Sequence, residues 1–164
     1  MNADAVDGIV EQWARERPDM PVDSIGVIAR ILRIAKLITD ERRRALAELG
    51  IDSATLDLLA TLRRAGAPYR LSPADIAEKC LVSGGAITQR VTRAEDAGLV
   101  RTQRSASGKR TVAVELTEHG HQVIEHDIEV LIGRERRLVS GLSTGDRRQL
   151  EGLLRELLGH MSSD

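Results

Sequence analysis

Between Leu71 and Thr117 the sequence passes from helical to extended periodicity in an order that leaves few folds open. Ser72-Pro73-Ala74-Asp75 reads as a helix start: a serine able to cap, a proline whose fixed φ suits the first helical position, and an aspartate whose charge favours a helix N-terminus. Ser83 opens a second helix only a few residues after the first ends, and Ile87, Val91 and Ala94 (i, i+4, i+7) form its apolar stripe. Leu99-Val100 then begins an extended run. In a second one Val112, Val114 and Leu116 alternate with Thr111, Ala113 and Glu115, the period of a half-buried strand. The tip between them, Ser105-Ala106-Ser107-Gly108-Lys109, is small, polar and basic. Two helices joined by a tight turn and followed by a hairpin predict a mainly α fold with a small β-hairpin wing, a winged helix-turn-helix.

The flanking segments are helical. Val6, Ile9, Val10 and Trp13 share a face of a short helix that Pro18 and Pro21 terminate. Asp23 or Ser24 caps a long helix with Ile25, Ile28, Ile31, Leu32, Ala35 and Ile38 at helical spacing, ending at Gly50. Ser53 is expected to cap a third helix, closed by Gly66-Ala67-Pro68. Thr117-Glu118 opens a long helix, and Ser143 caps a last one with Leu150, Leu153, Leu154, Leu157 and Leu158 in a stripe. The 164 residues suit a single domain: residues 1–50 as N-terminal helices, 51–116 as the winged module, 117–164 as C-terminal helices. Trp13 and Tyr69 are the only aromatic residues, so the core must be aliphatic. The apolar stripes of the first helix and the last two exceed what a small winged module can bury. A second copy of the chain is expected to cover them in a two-fold dimer.

The net charge of −1 conceals an uneven distribution. From Ser83 to Arg110 there are six cations and two anions, a basic module in an acidic remainder. Reading double-stranded DNA requires short polar side chains at a helix start, close to base edges, and Ser83, Thr88 and Gln89 meet that need. Gly85 lets backbone amides approach a phosphate, Arg93 reaches a phosphate or a guanine edge, and Lys109 and Arg110 suit a minor groove. Ser72, at the start of the preceding helix, is placed for a backbone contact. The lone Cys80 allows no intrachain disulfide, no apolar run is long enough to span a membrane, and the acidic N-terminus is unlike a signal peptide, so a cytoplasmic protein is expected. His119 and His126 share a helix face that His121 does not, with no i, i+4 pair, so no metal is expected. The sequence has no glycine-rich phosphate loop, Gly-x-Ser-x-Gly elbow or histidine-glutamate zinc motif, which points away from an enzyme and from a cofactor. Two alternatives stay open: a repressor sensing metal or thiol oxidation, and a helical protein-interaction module without DNA binding.

The segments Ser83 to Thr88, Ala97-Gly98-Leu99-Val100 and Val114-Glu115-Leu116-Thr117-Glu118-His119-Gly120 resemble the MarR family of transcription regulators, a likeness spanning Ile25 to Leu158. The resemblance implies a homodimer on a palindromic operator, usually a repressor relieved by a small molecule. Where the family's wing customarily carries an aspartate two residues before the tip arginine, this chain has Gly108 before Arg110. The segments Gln12 to Asp19 and Gly26 to Ile31 resemble a narrower branch, the urate-responsive and PecS-like members, which carry an extra N-terminal helix. That likeness implies a small organic anion as effector, held by a tryptophan, an aspartate and two arginines. Trp13, Asp57 and Arg90 match three of them; the position of the second arginine is Thr102, beside Arg101. The residues themselves suit this chemistry. A guanidinium recognises a planar oxyanion through paired hydrogen bonds, and Arg90 stands in the helix that would read DNA, so ligand and operator would act through one element.

Overall fold

The computed structural model describes residues 3–106 and 111–162, and the chain divides into two compact units, residues 1–45 and 46–164. The first unit holds α1 (Ala5–Glu16) and most of α2 (Asp23–Leu49), whose last turn belongs to the second. Asp4 caps α1: its carboxylate accepts from the Val6 and Asp7 amides, and the Asp7 carboxylate accepts from the Asp4 amide in return. Arg30 of α2 donates to both carboxylates at 2.7–3.0 Å. Its hydrogen bonds lower the Asp4 carboxyl, and the Asp4 amide followed by Arg30 lowers that of Asp7. Val6 is buried, while Val27, Ile28, Leu32, Leu37 and Ile38 of α2 stay exposed.

The second unit is built round α3 (Ser53–Arg64), which buries Thr55, Leu56, Leu58, Leu59, Ala60, Thr61 and Leu62. Its cap is Asp52, not the expected Ser53. The Asp52 carboxylate accepts from the Ala54 and Thr55 amides and from the Thr55 hydroxyl, a set of donors that a serine one position later cannot reach. Ser72 caps α4 (Pro73–Lys79) in a reciprocal box with Asp75, as its sequence predicts. The turn after α4 carries Leu81 at φ +54°, with the Leu81 amide on the Glu78 carbonyl and the Val82 amide on that of Ala77. This is the left-handed helix stop that glycine usually makes.

Ser83 then caps α5 (Gly84–Asp96), whose Ile87, Val91 and Ala94 are buried. Strands β2 (Val100–Arg104) and β3 (Thr111–Leu116) pair antiparallel. An unexpected third strand, β1 (Arg70–Leu71), pairs with β3 and completes a sheet of order β1-β3-β2. Thr117 caps α6 (Glu118–Leu138), and Ser143 caps α7 (Thr144–Met161). Where α6 begins, a Cβ on Gly120 would lie 1.9 Å from the Leu99 carbonyl oxygen, so this close approach of helix to strand requires glycine. Helix α7 buries no residue, and Leu150, Leu153, Leu154 and Leu158 are all exposed.

Candidate nucleic-acid interface

The apolar stripe of α5 turns inward, and most of its remaining positions stand in solvent. Ser83, Gly84, Gly85, Thr88, Gln89, Thr92 and Arg93 are all exposed. Ser83 sits at φ −70°, ψ 155°, and its hydroxyl accepts from the Ala86 amide, which holds the first turn open at its N-terminal end. A Cβ at Gly84 or Gly85 would meet nothing within 4 Å, so these glycines present bare backbone and are not forced by packing. Thr88 and Thr92 donate their hydroxyl protons back to the Gly84 and Thr88 carbonyls at 3.1 and 3.0 Å, leaving oxygen lone pairs outward as acceptors. Gln89 is exposed between them.

Arg93 is 64% exposed and reaches the Asp52 carboxylate at 3.5 Å, a long contact that tethers it to the N-terminus of α3. Desolvation raises the Asp52 carboxyl, but the Thr55 hydroxyl, two helix amides and the Arg93 charge outweigh it, and the net direction is downward. Ser72 is committed to its cap, exchanging hydrogen bonds with Asp75 at 2.7 and 3.2 Å. Lys109 and Arg110 lie outside the described residues.

The wing is fastened to α5 by a residue that the sequence reading passed over. Glu95 accepts from the amide and hydroxyl of Thr102 on β2 and pairs with Arg104 at 3.8 Å. One carboxylate thereby links the helix to the hairpin. The signal was present in the sequence: an acid one residue before the helix end, followed by a strand with a threonine and an arginine two residues apart.

Of the four residues assigned to an effector, two meet directly. Arg90 of α5 is four-fifths buried and contacts the Asp57 carboxylate of α3 at 3.4 Å. Arg101 instead donates to Glu115 across the β2–β3 pair at 2.7 Å, and that hydrogen bond holds the Glu115 carboxyl below its ordinary range. Trp13 belongs to the first unit and is 46% exposed. The three histidines separate: His121 packs its ring edge-on against Tyr69 at 4.4 Å, while His119 and His126 line a cavity of 480 Å³. Among the described residues no group of three His, Cys, Asp or Glu side chains is arranged to hold a metal ion. Cys80 is half-buried with its sulfur 3.4 Å from the Thr61 hydroxyl.

That same cavity contains Asp127, 4% exposed, whose Oδ2 has no hydrogen-bond partner among the described residues. Burial pushes its carboxyl up against a smaller opposing effect from His126. Its sequence signal is an acid within the buried stripe of α6, between Ile124 and Leu131.

A helix-turn-helix with an exposed polar second helix and a hairpin strapped to it defines a winged DNA-binding module. The comparisons agree. The MarR family profile matches residues 49–111. The chain is 33% identical to the HTH-type transcriptional regulator PecS of Dickeya dadantii over 95% of this chain and 94% of that protein. Among solved structures, AbsC, a MarR family transcriptional regulator from Streptomyces coelicolor, superposes with a TM-score of 0.72 at 23% identity, covering 88% of this chain and 99% of that one. The Mycobacterium tuberculosis MarR family protein Rv2887, solved in complex with salicylic acid, gives 0.57 at 24% identity over 77% of this chain and 92% of its own. The chain belongs to the MarR family of transcriptional regulators. It is a DNA-binding protein of that class and not an enzyme. No helix among the described residues is long and apolar enough to cross a membrane.

Proposed function

We propose that the protein is a cytoplasmic, ligand-responsive repressor that binds a palindromic operator as a homodimer and is released by a small organic anion. The observation that carries the DNA part is the division of α5: Ile87, Val91 and Ala94 buried, Ser83, Gly85, Thr88, Gln89 and Arg93 in solvent. Two such helices in a two-fold dimer would enter successive major grooves about one turn, roughly 34 Å, apart. The exposed leucines of α7 and the exposed aliphatic residues of α2 support the dimer, since faces of that kind are seldom left in water. Ser72, Lys109 and Arg110 are assigned to the flanking backbone and groove contacts.

The anion part rests on Arg90. Among the described residues its 3.4 Å contact to Asp57 engages few of the five guanidinium donors, so a carboxylate can bind to the others or displace Asp57. A ligand there acts on α5 directly and would bias how it meets DNA. Salicylic acid in the structure of the MarR family protein Rv2887 favours an aromatic carboxylic acid. Trp13 and Arg101 enter this reading through the resemblance, as an apolar wall and a second cation.

Fluorescence anisotropy with labelled DNA flanking the protein's own gene tests the first part. Nanomolar binding that falls steeply with salt is expected, because phosphate contacts release counterions. Binding indistinguishable from that to unrelated duplex at every salt concentration would remove it. For the second part, salicylate is titrated against the complex. Arg90→Gln should leave the protein on DNA at concentrations that release the parent. Trp13, the only tryptophan, should change emission with the same midpoint.

A further inference from the structure

The cavity round Asp127 has a chemistry unlike that of Arg90. It lies within the second unit, between the C-terminal ends of two helices and the side of a third. Leu49 and Gly50 close it from the end of α2, Ala97 from the C-cap of α5, and Val123 and Asp127 from α6. Leu99 adds a further apolar surface. At 480 Å³ it is the size of a small-molecule site. None of the residues lining it is Lys or Arg. Helix C-termini carry partial negative charge, and two of them face this space together with a carboxylate.

We infer that this cavity is a binding site for a small organic ammonium ion with an apolar body, its N–H donating to Asp127 Oδ2 and its hydrocarbon part lying against Leu49, Leu99 and Val123. A buried carboxylate oxygen without a donor is a costly arrangement that a protein retains for a reason. An ammonium supplies both the missing donor and the compensating charge. A metal ion would need several anionic or imidazole ligands converging on one point; His119 and His126 line the same cavity, but no group of three such side chains is so arranged among the described residues. The hydrophobic walls suit a carbon skeleton. The site is separate from the Arg90–Asp57 pair, which attracts the opposite charge, and it touches the C-cap of the DNA-reading helix at Ala97.

The test is isothermal titration of the full-length protein with 2-phenylethylammonium chloride, beside 3-phenylpropionate as a probe of similar bulk and opposite charge. Saturable binding of the ammonium is expected, weakened by at least about tenfold in Asp127→Asn, with any phenylpropionate binding unaffected by that change. Circular dichroism verifies that the variant folds. Should it fail to fold, Ala97→Leu, which adds bulk to the cavity lining and leaves Asp127 intact, is expected to produce the same loss. Absence of heat with the ammonium at the highest soluble concentration would overturn the inference, as would equal affinity in the folded Asp127→Asn protein or in Ala97→Leu. A crystal structure of the dimer with a partner side chain seated on Asp127 would overturn it as well.

Discussion

Helices α3 and α7 carry nearly the same message and meet opposite fates. Each has aliphatic side chains at helical spacing, Leu56, Leu59 and Leu62 in one, Leu150, Leu153, Leu154 and Leu158 in the other. In α3 every position from Thr55 to Leu62 except Asp57 is buried; in α7 none is. An amphipathic pattern therefore specifies that a face is to be covered and says nothing of what covers it. For α3 the cover is its own unit, through α5, α6 and the sheet. For α7 the proposed cover is a second chain.

The largest effect should come from the buried half of that contrast. Leu58 is fully buried, so Leu58→Ala leaves a cavity and should lower unfolding free energy by about 2–5 kcal/mol, read from urea midpoints. That loss should be the same at every protein concentration. Leu153 is 57% exposed in the single chain, and Leu153→Ala should instead act through assembly. Its destabilisation should shrink toward zero as the protein is diluted below the dimer's dissociation constant. A Leu153→Ala loss independent of concentration, with sedimentation showing an unchanged species, would remove α7 from the proposed interface.

A second contrast lies within α5, between the face turned inward and the face turned out. Gln89→Ala should leave the urea midpoint unchanged and weaken operator binding by about 1–3 kcal/mol, while binding to unrelated duplex stays the same. Arg93→Ala should weaken both classes of duplex and reduce the salt slope by about one. Should Gln89→Ala weaken both duplexes alike, Gln89 contacts the backbone and the base-reading role passes to another residue of the face.

How much of this was legible beforehand follows from what each feature depends on. The order of elements, the caps Ser72 and Ser83 and the stripe Ile87-Val91-Ala94 were readable because each is local: a side chain and an amide three residues away, or a period. The two-residue strand β1 was not, since its existence depends on β3 lying beside it more than forty residues later. The helix stop at Leu81 was hidden because a leucine holds a left-handed conformation where the familiar signal is glycine. In the candidate site, the exposed polar residues of α5 followed from its stripe. The resemblance assigned Asp57 and Arg90 to one site without pairing them, and Glu95 and Asp127 escaped notice because their meaning lies in tertiary partners, present for one and missing for the other among the described residues.

The cap of α3 sharpens the local part of that account with a smaller effect. Asp52→Ala should lower stability by about 1 kcal/mol, whereas Ser53→Ala should fall within a few tenths. The sign of the pH dependence follows from the Asp52 carboxyl being lower in the folded protein. Its contribution is present above the unfolded value and is lost as pH falls through the folded one, because acid then protonates the native carboxylate. The difference between parent and Asp52→Ala should accordingly close in acid, measured by thermal unfolding across pH.

Asp127 offers the opposite sign. Burial raises its carboxyl above the ordinary 3.8, so ionisation is resisted in the folded protein and not in the unfolded one. Below that value both states are protonated and the residue is neutral in its effect. As pH climbs past it the unfolded chain ionises first, and the fold loses stability until the native carboxyl ionises too, after which the penalty is constant. Asp127→Asn mimics the protonated form at every pH. It should therefore lie near the parent in acid and exceed it at neutral pH, measured by thermal unfolding across pH. A variant less stable than the parent at neutral pH would mean that the ionised carboxylate already has a partner in the assembled protein, and that the contrast between a satisfied Glu95 and an unsatisfied Asp127 belongs to the isolated chain alone.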